Sequence, residues 1–371
     1  MLGNVLCNSA GTLRQGVNTV TNSTQSGPER ASKTRVMISL AGFVLAGILL
    51  YFSVRGIEWI RVWQTVRGAS YRLLVVCCVL SSATLFLRAI RWRVLLSAEG
   101  RIGLSTVFWA SAAGYLANNF LPARAGELVR TWMISSRSGL SKSFVLTTAF
   151  SERVADAIAL ALIGAAALLV LPAQAGWLGT VSKPFAAVAL CGLAAMAVLP
   201  RLERLGKALL ERMPISGLAR TKLAGILDQI LLGARALHQP RRLASFVALM
   251  IAIWCMDAVT VVMGGRALGL VIPLPVAFLL LAGLGLGSAL PSTPGYVGIY
   301  QFVAVSVLVP FGLDRTDAIA YILFSQGFYW ALIACWGALA FWRFRKIASP
   351  GNFEVIQGTS PLASAASVTD R

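Results

Sequence analysis

The chain has 371 residues, of which 57% are apolar and 13% charged, and its formal net charge is +19. Because soluble domains carry about 25% charged residues, the composition excludes an ordinary soluble fold and predicts an integral membrane domain. The basic residues fall between apolar runs, where they set membrane topology, which argues against a nucleic-acid partner. A lone histidine and six cysteines without a Cys-x-x-Cys pair argue against a metal site, and we expect no metal and no cofactor.

The chain begins with a segment, 1–35, that is rich in Ser, Thr, Asn and Gly and has no apolar run. This composition is typical of a disordered tail rather than of a signal peptide. The small and polar residues of 348–371 predict a second disordered tail, on the cytoplasmic side. Between the two tails we expect one integral membrane domain over 36–347.

Six apolar runs approach the ~20 residues that a helix needs to cross about 30 Å of hydrocarbon. They are 36–54, 71–87, 144–171, 183–199, 243–264 and 318–341. Lys and Arg concentrate in the segments that we expect on the cytoplasmic side, which are 88–103, 122–143, 200–242 and the end of the chain after Phe341. Segments 55–70, 172–182 and 265–274 are then outside. The sequence therefore predicts an all-α polytopic membrane protein with six full spans and both termini in the cytoplasm.

Two further apolar runs, 104–121 and 275–310, are interrupted by Gly and Pro. Each carries the pattern Leu-Pro-x-x-x-Gly, beginning at Leu121 and at Leu290, 169 residues apart. The first run has cytoplasmic segments on both sides, so we expect it to enter the membrane and return. The second begins and ends outside, and forms either two short spans or a re-entrant segment from the opposite face.

The two segments share one motif but are expected to enter the membrane from opposite faces. This combination predicts an inverted repeat. Its halves would be 36–199 and 243–347, with Phe150-Ser151-Glu152 and Phe324-Ser325-Gln326 as a second weak match. The connector 200–242 has nine Lys and Arg and apolar residues at helical spacing. It is either a pair of amphipathic helices on the membrane surface or a connector that sets topology.

Three charged residues interrupt the span 144–171, namely Glu152, Arg153 and Asp156. Asp156 lies 12 residues into the span, about 18 Å deep at about 1.5 Å per residue. A charge at the bilayer centre costs about 2.5–3.5 kcal/mol on insertion scales. Glu152 and Asp156 share a helix face, and Arg153 and Asp156 have the spacing of an ion pair. This face must look toward protein or a wet cavity.

Candidate partners for this face lie around the first Leu-Pro-x-x-x-Gly motif. We predict that Arg124, Arg130 and Arg153 bind phosphate, with Glu127, Glu152 and Asp156 balancing them. Asn118 and Asn119 precede the break and add neutral donors and acceptors. The alternative is a structural ion-pair cluster that only locks the re-entrant segment.

The remaining candidates are secondary. Arg88 and Arg91 follow a span and either set topology or contact a headgroup. Asp257, inside the span 243–264, needs a partner or water. The residues that would form a hinge or gate at the two breaks are Pro122, Gly126, Pro291, Pro294, Gly295, Tyr296 and Gln301.

These motifs together resemble a known family. They are Leu87-Arg88-Ala89-Ile90-Arg91-Trp92, the run from Gly114 to Arg130, Glu152-Arg153-Val154-Ala155-Asp156 and Pro291-Ser292-Thr293-Pro294-Gly295. The chain resembles the flippase-like family, the transmembrane domain of lysylphosphatidylglycerol synthases, over about 36–347. The resemblance implies a bacterial or archaeal inner-membrane protein that moves a polar lipid between leaflets. The implied cargo is an anionic phospholipid, a hopanoid or a lipid-linked sugar.

Three functions follow as hypotheses. The first is translocation of a phosphate-bearing lipid without a catalytic residue, since the chain has no Gly-x-x-x-x-Gly-Lys-[Ser/Thr] ATP motif and we expect no aminoacyltransferase domain. The second is an intramembrane transferase that uses Glu127 or Asp156 as base, or a metal held by these acids. The third is a non-catalytic scaffold for a lipid-modifying enzyme. A homo-oligomer or such an enzyme would be the protein partner.

Overall fold

The computed structural model describes residues 44–120, 125–171, 239–288 and 294–347, which are helical with short connections. Predictions that fall outside these ranges are the two tails, the outer segment 172–182, the span 183–199, nearly all of the connector 200–242, and Pro122, Arg124 and Pro291. The described helices are α1 Val44–Val54, α2 Trp59–Arg67, α3 Tyr71–Leu96, α4 Leu104–Phe120, α5 Gly126–Ser138, α6 Lys142–Val170, α7 Pro240–Ala267, α8 Leu274–Gly287, α9 Ile299–Leu308 and α10 Arg315–Ile347.

Among the described residues, four helices are long and apolar enough to cross a membrane, namely α3, α6, α7 and α10. The shortest of them has 26 residues, about 39 Å at ~1.5 Å per residue, which exceeds the ~30 Å of hydrocarbon. The prediction of an all-α polytopic membrane protein is confirmed, and four of the six predicted spans are described in full. The predicted span 36–54 is described only from Val44, as α1.

The predicted end of the second span at residue 87 is wrong. Helix α3 continues to Leu96, so Arg88 and Arg91 lie within it rather than in a cytoplasmic loop. Arg91 and the following Trp92 are fully buried. Acidic side chains of other helices pair with these arginines. The arginines can therefore stay inside the bundle, and the helix does not have to end before them.

Helices α4 and α5 form an antiparallel pair, called here the charged hairpin. The Asn118 side-chain oxygen accepts a hydrogen bond from the Gly126 N–H at 2.8 Å. A Cβ added to Gly126 would lie 2.0 Å from the Gly114 carbonyl oxygen, so the helices meet backbone to backbone. The segment 122–143, predicted to be a cytoplasmic loop, therefore contains the returning helix of this hairpin.

Helices α8 and α9 form a second antiparallel pair, called here the neutral hairpin. A Cβ added to Gly283 would lie 2.8 Å from Val303, and one added to Gly287 would lie 3.0 Å from Ile299, so the two helices pack closely. A 3₁₀ turn over Pro294–Tyr296 lies between the helices. Segment 275–310 is thus two short helices, and whether they form two short spans or a re-entrant segment stays a prediction. Each hairpin helix has at most 17 residues, or about 26 Å, which is less than the hydrocarbon thickness.

The element order repeats, and the two copies are inverted. A long helix, a hairpin and a second long helix occur as α3 to α6 and again as α7 to α10. Helix α3 begins at Tyr71 and α7 at Pro240, which is again 169 residues later. The Ser70 N–H donates to the Ala267 carbonyl at 2.8 Å, and Arg242 donates to the Ser97 carbonyl at 3.2 Å. The start of each helix thus meets the end of the other, so these equivalent helices run antiparallel.

The two halves also exchange contacts. Helix α4 packs on α10 and α8 packs on α6. At both crossings a glycine permits close approach. A Cβ added to Gly337 would lie 2.4 Å from Leu116, and one added to Gly285 would lie 2.3 Å from Leu160. Each half therefore holds its first hairpin helix against the final long helix of the other half.

The predicted outer loop 55–70 contains the amphipathic helix α2, which packs on α10. Arg61 donates to Asp317 at 2.9 Å and to Asp314 at 3.4 Å. Three of its other large apolar side chains, Trp59, Ile60 and Trp63, are exposed. This combination of an apolar face and a charged anchor is typical of a helix that lies in the membrane interface.

Candidate functional site

The most buried charges in the described structure surround Arg91 of α3. Its side chain is 0% exposed. It donates to both Asp156 oxygens, at 2.6 and 2.8 Å, and to Glu152 at 2.8 Å. Both acids lie on α6, one turn apart, so a single guanidinium bridges the two carboxylates. The bidentate geometry with Asp156 is the strong form of such a pair.

The charged hairpin extends this network. Arg130 of α5 donates to the second Glu152 oxygen at 3.1 Å and is ion-paired with Glu127 one turn earlier. Arg153 of α6 donates to Glu127 at 3.0 Å. The order of contacts is therefore Asp156, Arg91, Glu152, Arg130, Glu127 and Arg153, with alternating sign. Three arginines and three carboxylates leave this ion network with no net formal charge.

The structure brings Glu127, Arg130, Glu152, Arg153 and Asp156 together, but with one different pairing. The predicted pair of Arg153 with Asp156 is wrong, because Arg153 points to Glu127 and Asp156 is occupied by Arg91. The predicted i, i+3 pair of Glu127 with Arg130 is present. Arg124 lies outside the described residues. The binding of phosphate by these arginines stays a prediction.

Arg91 is the residue whose central position the sequence reasoning missed. The sequence predicts that Arg91 sets topology or contacts a headgroup, yet in the structure it donates three hydrogen bonds to the acids of the network. A signal was present: the apolar residues Val94, Leu95 and Leu96 follow it, so the helical pattern does not end at the arginines. Two further donors of the network, Arg91 Nε and Arg130 Nη2, are buried without a hydrogen-bond partner among the described residues.

A cavity of about 310 Å³ lies between the two halves. Its lining comes from α3, α7, α8, α10, the end of α4, the turn of the neutral hairpin and the start of α9. Arg88 of α3 and Asp257 of α7 line it and form an ion pair at 2.7 Å. The Arg88 guanidinium also lies over the Trp254 ring, 5.2 Å from its centroid. Arg88 and Asp257, named from the sequence as secondary candidates, are thus partners across the repeat interface.

The cavity and the ion network are separate but adjacent. Arg88 and Arg91 are three residues apart on α3, and the first lines the cavity while the second lies in the network. Of the two asparagines before the break, Asn119 lines the cavity and Asn118 holds the hairpin turn. A displacement of α3 would therefore act on both regions.

The neutral hairpin is fixed by amide groups. The Gly298 N–H donates to the Gln301 side-chain oxygen at 2.7 Å, and the Gln301 amide donates to Gln326 of α10 at 2.9 Å. Gln326 in turn donates to the Gly295 carbonyl. Gln301 is fully buried in this relay. Its predicted role in a hinge or gate stays a prediction.

The turn itself has a constrained backbone. Gly295 and Tyr296 have φ of 72° and 61°, the left-handed region that side chains with a Cβ disfavour. The Tyr296 ring stacks on Tyr300, with 5.0 Å between centroids, and both rings line the cavity. Pro294 begins the 3₁₀ turn, and Pro291 lies outside the described residues.

The fold and these buried charges define a class: a polytopic membrane protein of two inverted halves with ion pairs inside the bundle. The chain belongs to the family described as lysylphosphatidylglycerol synthase TM region, whose profile matches residues 39–337. The resemblance stated from the sequence is thereby confirmed. The described residues of the bundle, from α1 to most of α10, lie within the matched range.

One curated relative is glycosyltransferase AglD of Haloferax volcanii. It is 26% identical over 315 residues, covering 75% of this chain and 50% of the relative. The chain thus spans about half the length of this protein. No solved structure gives a significant match.

Proposed function

We propose that this protein translocates a polar, phosphate-bearing lipid between the two leaflets of a bacterial inner membrane. Both termini would lie in the cytoplasm. The observation that carries the proposal is the Arg88–Asp257 ion pair, which lines a cavity between two inverted halves. Charged residues within membrane spans mark substrate or ion pathways, and substrate sites of many transporters lie at the interface of such repeats.

Arg88 supplies the contact with phosphate in this proposal. An arginine has five N–H donors, and Asp257 is bound through Nη2 alone. Its side chain is 15% exposed, compared with 0% for Arg91. The apolar and aromatic lining of the cavity accommodates the start of the acyl or prenyl chain while Arg88 holds the phosphate.

The ion network has a different part in this proposal. Its three arginines already face three carboxylates, so its first role is to hold the charged hairpin against α3 and α6. Asn119, in the last turn of α4, lines the cavity. The network then fixes one wall of the pathway, which corresponds to the structural alternative drawn from the sequence.

A second candidate function is an intramembrane transfer reaction on a lipid-linked substrate. The name of the relative from Haloferax volcanii favours it, although half of that protein is not matched. Against it, Glu127, Glu152 and Asp156 are each paired with arginine, which weakens a carboxylate as a general base. A scaffold role for a lipid-modifying enzyme is the third candidate.

The test is lipid translocation in proteoliposomes. Purified protein is reconstituted with a trace of headgroup-labelled phosphatidylglycerol, and a membrane-impermeant reductant is added. Wild type should expose label beyond the outer-leaflet half, and Arg88→Ala should protect the inner half as empty liposomes do. The matched control is Arg72→Ala, which removes an exposed arginine from the same helix and should behave as wild type. Protection by wild type equal to empty liposomes would overturn translocation of this lipid.

A further inference from the structure

The charged groups of the ion network and of the cavity are balanced. The network contains three arginines and three carboxylates, and the cavity pair adds one group of each sign. Among the described residues that line the cavity, Arg88 and Asp257 alone carry a formal charge. A phosphate with a net negative charge that binds at Arg88 therefore leaves one negative charge in excess. In an apolar interior such a charge is strongly disfavoured unless it is paired or neutralised.

Asp257 is the carboxylate of these two regions with the fewest contacts to arginine. It accepts one hydrogen bond from arginine, from Arg88 Nη2 at 2.7 Å. Each acid of the ion network has at least two contacts with arginine nitrogens. The Asp257 side chain is also the most exposed of the four acids, at 21% compared with 18% for Glu127 and 1% for Glu152. A second anion at Arg88 competes directly with Asp257 for this one arginine.

The other charged and titratable groups near Asp257 do not replace it as a proton acceptor. Asp156 of α6 and Tyr329 of α10 interact with it electrostatically, and Tyr115 of α4 interacts with Arg88. Helix α8, which also packs on α7, has no titratable residue. Asp156 is held by two hydrogen bonds from its arginine, and tyrosine and cysteine side chains are already protonated at neutral pH. The tyrosines and cysteine of the cavity lining are Cys77, Tyr296, Tyr300, Tyr321 and Tyr329.

We propose that Asp257 is a proton site, which takes up one proton from water when a phosphate with a net negative charge binds at Arg88. The proton leaves a hydronium ion and bonds to a carboxylate oxygen of Asp257. The resulting carboxyl is neutral and can donate a hydrogen bond to the phosphate, so that Arg88 and the phosphate become the balanced pair. In transport the proton crosses with the lipid, and the two move without net charge. This inference rests on the proposed function and names the ion that accompanies its substrate.

The test is calorimetric titration of the full chain in detergent with short-chain phosphatidylglycerol, which is anionic. The binding enthalpy is measured in buffers with different enthalpies of ionisation, and its slope gives the number of protons taken up per lipid bound. We expect about one proton per phosphatidylglycerol at neutral pH. The dissociation constant should rise about tenfold for each unit increase in pH, over the range in which Asp257 is ionised in the free protein and protonated in the complex. Short-chain phosphatidylcholine carries its own positive charge, so we expect no proton uptake with it.

Two variants locate the proton. Asp257→Asn has the shape and the neutral charge of the protonated carboxyl. We expect it to bind phosphatidylglycerol without proton uptake and with a dissociation constant that is independent of pH over the same range. The matched control is Asp317→Asn, because this acid of α10 pairs with Arg61 and lies outside the cavity lining. It should take up a proton as wild type does, with a monodisperse elution profile confirming the fold of each variant.

Binding of phosphatidylglycerol by wild type without proton uptake, or equal uptake by wild type and Asp257→Asn, would overturn the inference. Failure of wild type to bind this lipid would contradict the phosphate contact at Arg88, and the proton site with it. The translocation assay on the same preparations separates the inference from the proposed function. Translocation of phosphatidylglycerol without proton uptake contradicts only the proton site. Proton uptake on binding without translocation contradicts only the transport function.

Discussion

The two hairpins have the same design but are attached by different chemistry. In the charged hairpin, Arg130 of α5 reaches Glu152 of α6 within a network of six ionised groups. In the neutral hairpin, Gln301 of α9 reaches Gln326 of α10 through one amide hydrogen bond. Glu127 and Glu152 are 25 residues apart, as are Gln301 and Gln326. Each glutamine lies 174 residues after its glutamate, five more than the offset of 169 between the two motifs. The two hairpins are therefore attached through different chemistry, ions in one half and amides in the other, at positions shifted by five residues.

This difference implies unequal resistance to displacement. Moving the charged hairpin separates buried opposite charges. A buried charge that loses its partner destabilises the protein by about 3–5 kcal/mol. Moving the neutral hairpin breaks amide contacts that contribute about 0.5–1.5 kcal/mol each. The neutral hairpin, with its three positive-φ residues Gly295, Tyr296 and Gly298, is the side on which we expect the pathway to open.

The largest effect is expected from Arg91→Ala. It leaves Glu152 and Asp156 without their shared partner in a buried position, which should lower the free energy of unfolding by about 3–5 kcal/mol. Thermal unfolding of the purified variant in detergent measures the change. Arg93→Ala is the control on the same helix, since Arg93 donates to the Ile102 carbonyl and faces no acid of the network. A melting temperature equal to that of wild type would show that the network does not hold the charged hairpin.

Exchange of Glu127 and Arg130 tests whether the network acts as a unit. The exchange keeps the pair itself but places an arginine beside Arg153 and a glutamate beside Glu152. Like charges in a buried site repel, so we expect destabilisation by about 2–4 kcal/mol rather than recovery. A double-mutant cycle on the unfolding midpoint compares the exchange with each single variant. Stability near that of wild type would mean that only the local pair matters.

A smaller effect is expected from Gln301→Leu in the neutral hairpin. The change removes the bond to Gln326 and leaves that amide buried, with an expected cost of about 1–3 kcal/mol. Proteolysis near the turn, measured beside Arg91→Ala, reports which hairpin loosens first. If Gln301→Leu destabilises as much as Arg91→Ala, the two hairpins are equally rigid and the comparison fails.

The smallest effect is expected at the membrane surface. Arg61→Ala removes two ion pairs between partly exposed side chains, from α2 to Asp317 of α10 and to Asp314 just before that helix. Exposed pairs contribute about 0.2–1 kcal/mol and weaken as salt is added. The unfolding midpoint of wild type and variant, compared at low and high salt, should converge at high salt. A difference that persists would place these pairs in a dry environment.

The hydropathy pattern predicted the long spans and both interrupted segments, because membrane insertion depends on local composition. The Leu-Pro-x-x-x-Gly spacing of 169 also predicted two related halves, and the antiparallel α3 and α7 fit an inverted repeat. The partners of Arg91 could not be predicted in this way, since they lie 61 and 65 residues away on another helix. Arg88 and Asp257 could be named singly, but their pairing depends on how α3 crosses α7.

The separation of Arg88 and Asp257 is itself 169 residues, the offset of the repeat. If the two halves were separate identical chains related by a twofold axis, a residue at this position would face its own copy. Arginine would then meet arginine, or aspartate would meet aspartate, and neither pair is stable inside a membrane. An opposite-charge contact at this position requires the halves to differ, which a single continuous polypeptide permits. The Arg88–Asp257 ion pair therefore depends on the two halves having different residues at this one position.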